Sequence, residues 1–96
     1  MFVVLLNYLR PLAVIDELLP AHVAFLDEQY RAGVFLASGR RVPRTGGVIL
    51  ARAASREELD AVLAQDPFAL AGAAAYEVVE FSPTKSTPEL ACILEA

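Results

Sequence analysis

The chain contains little of what metal and cofactor sites usually require. It has one cysteine, Cys92, and one histidine, His22. A lone cysteine excludes an internal disulfide and suits a reducing compartment, so we expect a cytoplasmic protein. One histidine and one cysteine cannot supply the usual zinc ligands without many carboxylates. Because the sequence also lacks a glycine-rich phosphate loop, a G-x-G-x-x-G motif and a G-x-S-x-G elbow, we expect neither a metal nor another cofactor.

Basic residues and long apolar runs are scarce as well. The chain has 8 Lys and Arg against 12 Asp and Glu, which gives a formal net charge of −4. Nucleic-acid-binding domains normally carry a basic stripe. Residues 2–6 are apolar but lack the flanks of a signal peptide, and no run approaches the roughly 20 apolar residues of a membrane span. We therefore expect neither a nucleic-acid nor a membrane partner.

Hydrophobic residues, in contrast, are abundant. They make up 56% of a chain of 96 residues, a length that fits one domain. A small domain has much surface for its volume, so surplus apolar side chains tend to mark a surface that contacts a partner.

Four apolar segments rich in β-branched and aromatic residues predict strands. They are Phe2–Tyr8, Val34–Ser38, Gly47–Ala51 and Tyr76–Phe81. All four appear apolar on both faces, and such strands need cover on both sides of the sheet. A polar, basic connection over residues 39–46 joins the second and third strands into a hairpin.

Two helices are predicted between the strands. Pro20 is suited to the first position of a helix that runs to about Ala32, with Gly33 as a left-handed cap. Residues 11–19 stay ambiguous, since their spacing fits a short helical turn that Pro20 then interrupts. Ser55 and Glu58 form the capping-box pattern that opens the second helix.

The resulting order, β-α-β-β-α-β, predicts an α+β ferredoxin-like fold with a four-stranded antiparallel sheet. Helices would cover one face of the sheet, and a second copy of the chain would cover the other. We therefore expect a homodimer, with a dimer of dimers left open. Residues 1–82 form the predicted domain. Residues 83–96 form a weakly ordered tail whose apolar end, residues 90–94, could dock on a partner subunit.

Five short motifs occur in a distinctive order and spacing. They are Pro20-Ala21-His22, Ser38-Gly39, Gly46-Gly47, Asp66-Pro67-Phe68 and the final strand Tyr76–Phe81. Together they resemble the YCII family of YciI-like proteins over residues 2 to about 81. The resemblance implies a dimeric α+β barrel related to muconolactone isomerases and cofactor-free monooxygenases. It also implies a His–Asp pair in a cleft, at His22 and Asp66, and dehydrochlorination is among the reactions of some relatives.

The two residues of this pair each have an alternative interpretation. His22 would lie in the first turn of its helix and could act as a general base near neutral pH. It could equally be a partly exposed histidine without chemistry. Asp66 precedes Pro67 and is a favoured N-cap residue, which explains it without catalysis. Both roles are compatible, because one carboxylate oxygen can cap the helix while the other orients an imidazole.

Further residues are candidates for substrate binding. Ser38 and Tyr8 end neighbouring strands and could line the cleft, although closing a strand or packing in a dimer interface explains them too. Arg40, Arg41 and Arg44 are typical of a solvated hairpin. If they face the cleft, they favour an anionic substrate such as a carboxylate. Cys92 lies in the tail, far in sequence from His22, and is interpreted as unreactive.

These residues support three functional hypotheses. The first is a lyase or isomerase in which His22 removes a proton from a small cyclic or aromatic substrate while Asp66 orients the imidazole. The second is a module that binds a small molecule without turning it over, since fold alone does not fix function. The third is an accessory subunit whose tail docks a partner protein.

Overall fold

The computed structural model describes residues 1–94. Its elements follow the predicted β-α-β-β-α-β order, with two short additional helices. The bounds are β1 Phe2–Tyr8, α1 Leu12–Arg31, β2 Phe35–Arg40, β3 Gly46–Ala51, α2 Arg56–Leu63, α3 Pro67–Leu70, β4 Ala74–Glu80 and a 3₁₀ helix over Pro88–Ile93. The α+β fold class is thereby confirmed.

The four strands form one antiparallel sheet in the order β2-β3-β1-β4. The expectation that the strand ending at Ser38 lies beside the strand ending at Tyr8 was wrong, because β3 lies between β2 and β1 and pairs with both. The central strand β1 has Val4 opposite Ile49 of β3 on one side and Val78 of β4 on the other. Successive side chains of a strand point to opposite faces, so Phe2, Val4 and Leu6 share one face. That face is packed under the helices, and all three side chains are almost fully buried.

The opposite face of the sheet carries apolar side chains and no helix. Val3 lies beside Leu50 and Val79, and Leu5 lies beside Val48. We call these five residues the open sheet face. They are only half-buried or exposed, which agrees with the expectation that β1 is apolar on both faces. A second copy of the chain over this face stays a prediction.

The prediction that a helix begins at Pro20 was wrong. Helix α1 is continuous from Leu12 to Arg31 and contains Pro20. Proline inside a helix removes one hydrogen bond and crowds the carbonyl four residues earlier, at a cost of about 3 kcal/mol. The helix continues because one apolar stripe crosses the proline: Ile15 before it and Phe25 after it are both buried against the sheet. Pro20 itself is exposed, so the carbonyl that loses its partner can be hydrated.

The other helix signals were interpreted correctly. Gly33 has a positive φ of 76° and follows the end of α1. Ser55 caps α2 by accepting a hydrogen bond from the backbone N–H of Glu58 at 3.1 Å. The returning bond of the capping box is shifted by one residue, since the Glu58 carboxylate accepts from the backbone N–H of Ala54 at 3.3 Å.

The hairpin between β2 and β3 is tighter than predicted. Strand β2 extends to Arg40, which the sequence placed in the connection. Arg40 is paired with Gly47, and the backbone N–H of Arg41 donates to the Gly46 carbonyl at 2.9 Å. Pairing depends on backbone groups and not on hydropathy, so the ladder runs on through polar residues.

The tail is partly ordered within the described residues. Its 3₁₀ helix over Pro88–Ile93 was not predicted. The Arg52 guanidinium donates to the Cys92 carbonyl at 2.7 Å and connects this helix to the body of the domain. Leu90 and Leu94 remain exposed, so the tail buries little apolar surface on its own subunit, and residues 95–96 lie outside the described part. None of the helices in residues 1–94 has the length and apolar character that crossing a membrane takes.

Candidate active site

His22 lies in the middle of α1, on the stripe that packs against the sheet. This position corrects the prediction that it occupies the first turn of a helix. Its side chain is 10% exposed, and its ring stacks on Phe68 of α3 with centroids 4.0 Å apart and planes 14° from parallel. The imidazole is therefore held by packing from one side and has little freedom to rotate.

A hydrogen bond to Asp66 also holds the imidazole in one orientation. The Asp66 side chain is fully buried, and His22 Nδ1 lies 2.8 Å from its Oδ1. The same oxygen accepts a hydrogen bond from the backbone N–H of Phe68 at 3.0 Å and so caps α3. Capping and imidazole contact thus coexist in one carboxylate.

A third side chain completes the network around Asp66. The Tyr76 hydroxyl, from β4, donates to Asp66 Oδ2 at 2.6 Å. Burial and then the hydrogen bond to Asp66 raise the pKa of Tyr76 well above its ordinary value. The phenol consequently stays protonated and acts as a donor.

The contact with Asp66 determines which nitrogen of the neutral His22 imidazole carries the proton. An ionised carboxylate only accepts hydrogen bonds, so the proton of a neutral His22 ring sits on Nδ1. Nε2 then carries the lone pair. A ring held in this tautomer by a buried carboxylate can accept a proton through Nε2, and the carboxylate stabilises the imidazolium that forms.

His22 forms part of the wall of a cleft of about 150 Å³ between α1, the sheet and α3. Most of the lining is apolar and includes Leu6, Leu19, Val23, Leu26, Ile49 and Phe68. The polar side chains of the lining are Tyr8, His22, Ser38 and Arg40. The cleft thus brings together four of the five predicted site residues. Asp66 does not line it, because it lies behind the imidazole.

The hydroxyl-bearing residues of the cleft are held by aromatic neighbours. Tyr8 packs edge-on against Phe68, with ring centroids 5.9 Å apart. The Ser38 hydroxyl is hydrogen-bonded to the hydroxyl of Tyr30 from the last turn of α1. Ser38 is therefore positioned by a side chain that lies outside the lining.

A search of curated proteins returned no match. The model of the YCII-related domain, in contrast, matches residues 1–82. The chain belongs to the YCII family. The resemblance inferred from the five sequence motifs is thereby confirmed.

A solved structure with the same fold is 5-chloro-2-hydroxyhydroquinone dehydrochlorinase (TftG) from Burkholderia phenoliruptrix AC1100, in complex with 2,5-dihydroxybenzoquinone. The TM-score is 0.71, and the aligned region covers 85% of this chain and 94% of that one at 23% identity. At this identity the likeness establishes the shared fold and nothing finer.

Three side chains of this YCII site were missed by sequence reasoning. Tyr76 was assigned only as the start of a strand, Phe68 only as the end of the Asp66-Pro67-Phe68 motif, and Tyr30 was not singled out. Tyr30 bonds to Ser38 and Tyr76 bonds to Asp66, 8 and 10 residues away, while Phe68 stacks on His22 of α1. Each contact joins two different elements of the fold. The one available signal was the pattern of alternating faces in β4, which places Tyr76 on the helix-covered side.

Metal ligands are not gathered in this YCII domain. Among residues 1–94, no three His, Cys, Asp or Glu side chains are grouped so that they could hold a metal ion.

Proposed function

We propose that this YCII protein is a lyase or isomerase that uses His22 as a general base on a small cyclic or aromatic substrate. The observation that carries the proposal is the 2.8 Å contact between His22 Nδ1 and the buried Asp66 carboxylate, at the wall of an apolar cleft. Nε2 removes a substrate proton, and Asp66 orients the ring and stabilises its cation. General-base action of this kind contributes about 10²–10⁴-fold to a rate.

The dimensions of the cleft support a substrate with a single ring. A cavity of roughly 150 Å³ with aliphatic and aromatic walls accommodates one benzene ring, and the cleft has a volume of about 150 Å³. Phe68 forms part of the wall beside His22, so a flat substrate would have an aromatic surface next to the base. Aromatic pairs of this kind contribute about 0.5–1.5 kcal/mol beyond their buried area.

Elimination of HCl from a chlorinated hydroquinone is the reaction that we propose to test first. The related fold of the dehydrochlorinase motivates it. The substrate first ketonises, which moves a hydroxyl proton to the ring carbon that bears chlorine. His22 then takes the proton of a second hydroxyl while chloride leaves with the electrons of its bond to carbon. The products are a quinone and HCl, so the step needs no oxidant and no reductant.

The test is chloride release from 5-chloro-2-hydroxyhydroquinone by wild type and by His22→Asn. Asparagine places an amide N–H near the position of Nδ1, so Asp66 keeps a donor, but the variant has no base at Nε2. We expect the rate to fall by about 10²–10⁴-fold. Glu28→Gln, on the exposed side of α1, is the matched control and should retain the wild-type rate.

Two results would count against catalysis by His22. Turnover at the wild-type rate in His22→Asn would exclude the imidazole as the base. A ring compound that raises the melting temperature, depends on His22 for this effect and is recovered unchanged after long incubation would instead indicate a binding module.

The proposal includes a homodimer in which the open sheet face is covered by a second copy. Val79 is 47% exposed and Val48 is 37% exposed in the single chain, and both belong to that face. Covering such apolar surface is favourable by about 25 cal/mol per Å². Two sheets packed face to face are the simplest symmetric arrangement that achieves this.

A further inference from the structure

We propose that the ligand of the cleft carries a carboxylate and that Arg40 binds it. The inference rests on the proposed function, because it names the substrate class of the same site. The ligand would be a single-ring carboxylic acid, with its ring against the apolar wall and its anionic group at the mouth formed by the end of β2. The chlorinated hydroquinone tests the chemistry of His22, whereas the carboxylic acid is the ligand class that we infer for this chain.

Two of the three hairpin arginines already have partners for their side chains. Arg41 donates to Asn7 Oδ1 at 2.6 Å. Arg44 forms an ion pair with Asp16, and this hydrogen bond raises the pKa of Arg44. The Arg40 guanidinium has no hydrogen-bond or ion-pair partner within the described chain, and of the three arginines Arg40 alone lines the cleft. Its charge is therefore available to a ligand.

The lining of the cleft contains a cationic side chain and, among the described residues, no acidic one. No Asp or Glu of residues 1–94 lines it. The nearby carboxylate of Asp66 is buried behind His22 and accepts from three donors. A guanidinium at an apolar wall, without an acidic neighbour in the lining, favours an anion.

The shape of the Arg40 guanidinium favours a carboxylate among the possible anions. A guanidinium presents a planar fork of N–H donors that matches a carboxylate in two parallel hydrogen bonds. The cleft of about 150 Å³ leaves room for one ring and a small substituent. A ring carboxylate satisfies both the apolar wall and the fork.

The experiment compares benzoate with benzamide, which has nearly the same shape and no charge. Dissociation constants are measured by calorimetry or ligand-observed NMR on wild type, Arg40→Gln and Arg40→Lys. We expect benzoate to bind wild type at least about tenfold more tightly than benzamide, as for a charge-assisted hydrogen bond. The preference should disappear in Arg40→Gln and survive in part in Arg40→Lys.

A matched control is Arg31→Gln. Arg31 is exposed in the last turn of α1 and does not line the cleft, so this variant should keep the full preference for benzoate. It has the same change in net charge as Arg40→Gln, and it therefore separates a local contact from a general charge effect.

Three results would overturn the inference: an undiminished preference in Arg40→Gln, equal binding of both probes to wild type, and no measurable binding of either. Chloride release by His22→Asn and the benzoate titrations together separate the two proposals. If turnover survives in that variant while the benzoate preference still depends on Arg40, the base is wrong and the ligand class stands. If turnover requires His22 but benzoate has no advantage, the ligand class is wrong and the base stands.

Discussion

A buried carboxylate needs hydrogen-bond donors for both of its oxygens, and Asp66 obtains them from separate parts of the chain. His22 and the backbone N–H of Phe68 serve Oδ1, while the Tyr76 hydroxyl serves Oδ2. Without these donors, burial would cost several kcal/mol. The orientation of His22 therefore depends on Tyr76 of β4, which is hydrogen-bonded to Asp66 and not to the imidazole.

Replacing Tyr76 by Phe tests that dependence. The substitution removes one hydroxyl and leaves Asp66 Oδ2 without its donor, so we expect the free energy of unfolding to fall by about 1–3 kcal/mol near pH 7. Urea denaturation of both proteins measures the difference. A loss near zero would indicate that water replaces the hydroxyl.

The same pair of proteins predicts a pH dependence. The folded state raises the pKa of Tyr76 above the value of about 10 that an unfolded tyrosine has. Above that pH the unfolded state loses its proton first, so the native state binds more protons and the stabilisation shrinks as pH rises. The advantage of wild type over Tyr76→Phe should thus be constant below about pH 9 and decline above about pH 10. A constant advantage across this range would contradict the role of the protonated phenol.

At the scale of elements, the β1–β3 pair depends on a glycine at its edge. A Cβ built on Gly46 would lie 1.7 Å from the backbone oxygen of Leu6. Backbone atoms cannot move aside by changing rotamer, so the two strands would have to separate at this point. A Cβ on Gly39, in contrast, has nothing within 4 Å.

We therefore expect opposite outcomes for Gly46→Ala and Gly39→Ala. The first should lower stability by at least about 2 kcal/mol through overpacking, which corresponds to a fall in melting temperature of about 8–16 °C in a domain of this size. Gly39→Ala should change the free energy of unfolding by less than about 1 kcal/mol. Thermal denaturation of both variants provides the comparison, and equal melting temperatures would show that the strand ends separate at little cost.

Prediction of these elements from sequence succeeded where a local signal governs the chain. Gly33, Ser55 and Asp66 all occupy the cap positions expected of them. Prediction failed at Pro20, where the local rule for proline is outweighed by burial of the stripe on both sides of it. It also failed at Arg40, because strand pairing does not require an apolar side chain.

The candidate site was predictable only in part for a related reason. His22 is the single histidine of the chain, and family resemblance paired it with Asp66. Tyr76 carries no comparable signal, since a tyrosine in a strand is ordinary and its hydroxyl finds Asp66 only through tertiary packing. The side chains that position a reacting group are harder to predict than the group itself, because their roles depend on distances between elements.

At the scale of the whole molecule, the open sheet face is the surface on which we propose that a second copy packs. If a second copy covers this face, Val79→Lys should disrupt the dimer, because a buried charge without a partner is costly. Val79 is already 47% exposed in the single chain, so the variant should fold. Sedimentation velocity should report dimers for wild type and monomers for Val79→Lys.

The control for this substitution is Val42→Lys. Val42 is 93% exposed and lies in the hairpin loop, away from the open sheet face. This variant should sediment like wild type. A wild-type protein that sediments as a monomer in dilute solution would contradict the dimer.

The separation of 44 residues between His22 and Asp66 also has a consequence for biosynthesis. A nascent chain that has completed α1 and the β2–β3 hairpin already contains the imidazole but not the carboxylate, which follows α2. Bringing together two residues so far apart in sequence carries a loop-closure cost, although that cost rises only slowly with loop length. An incomplete or truncated polypeptide would thus have an untethered histidine, and the contact between His22 and Asp66 would form only after α3 has been translated and has docked on α1.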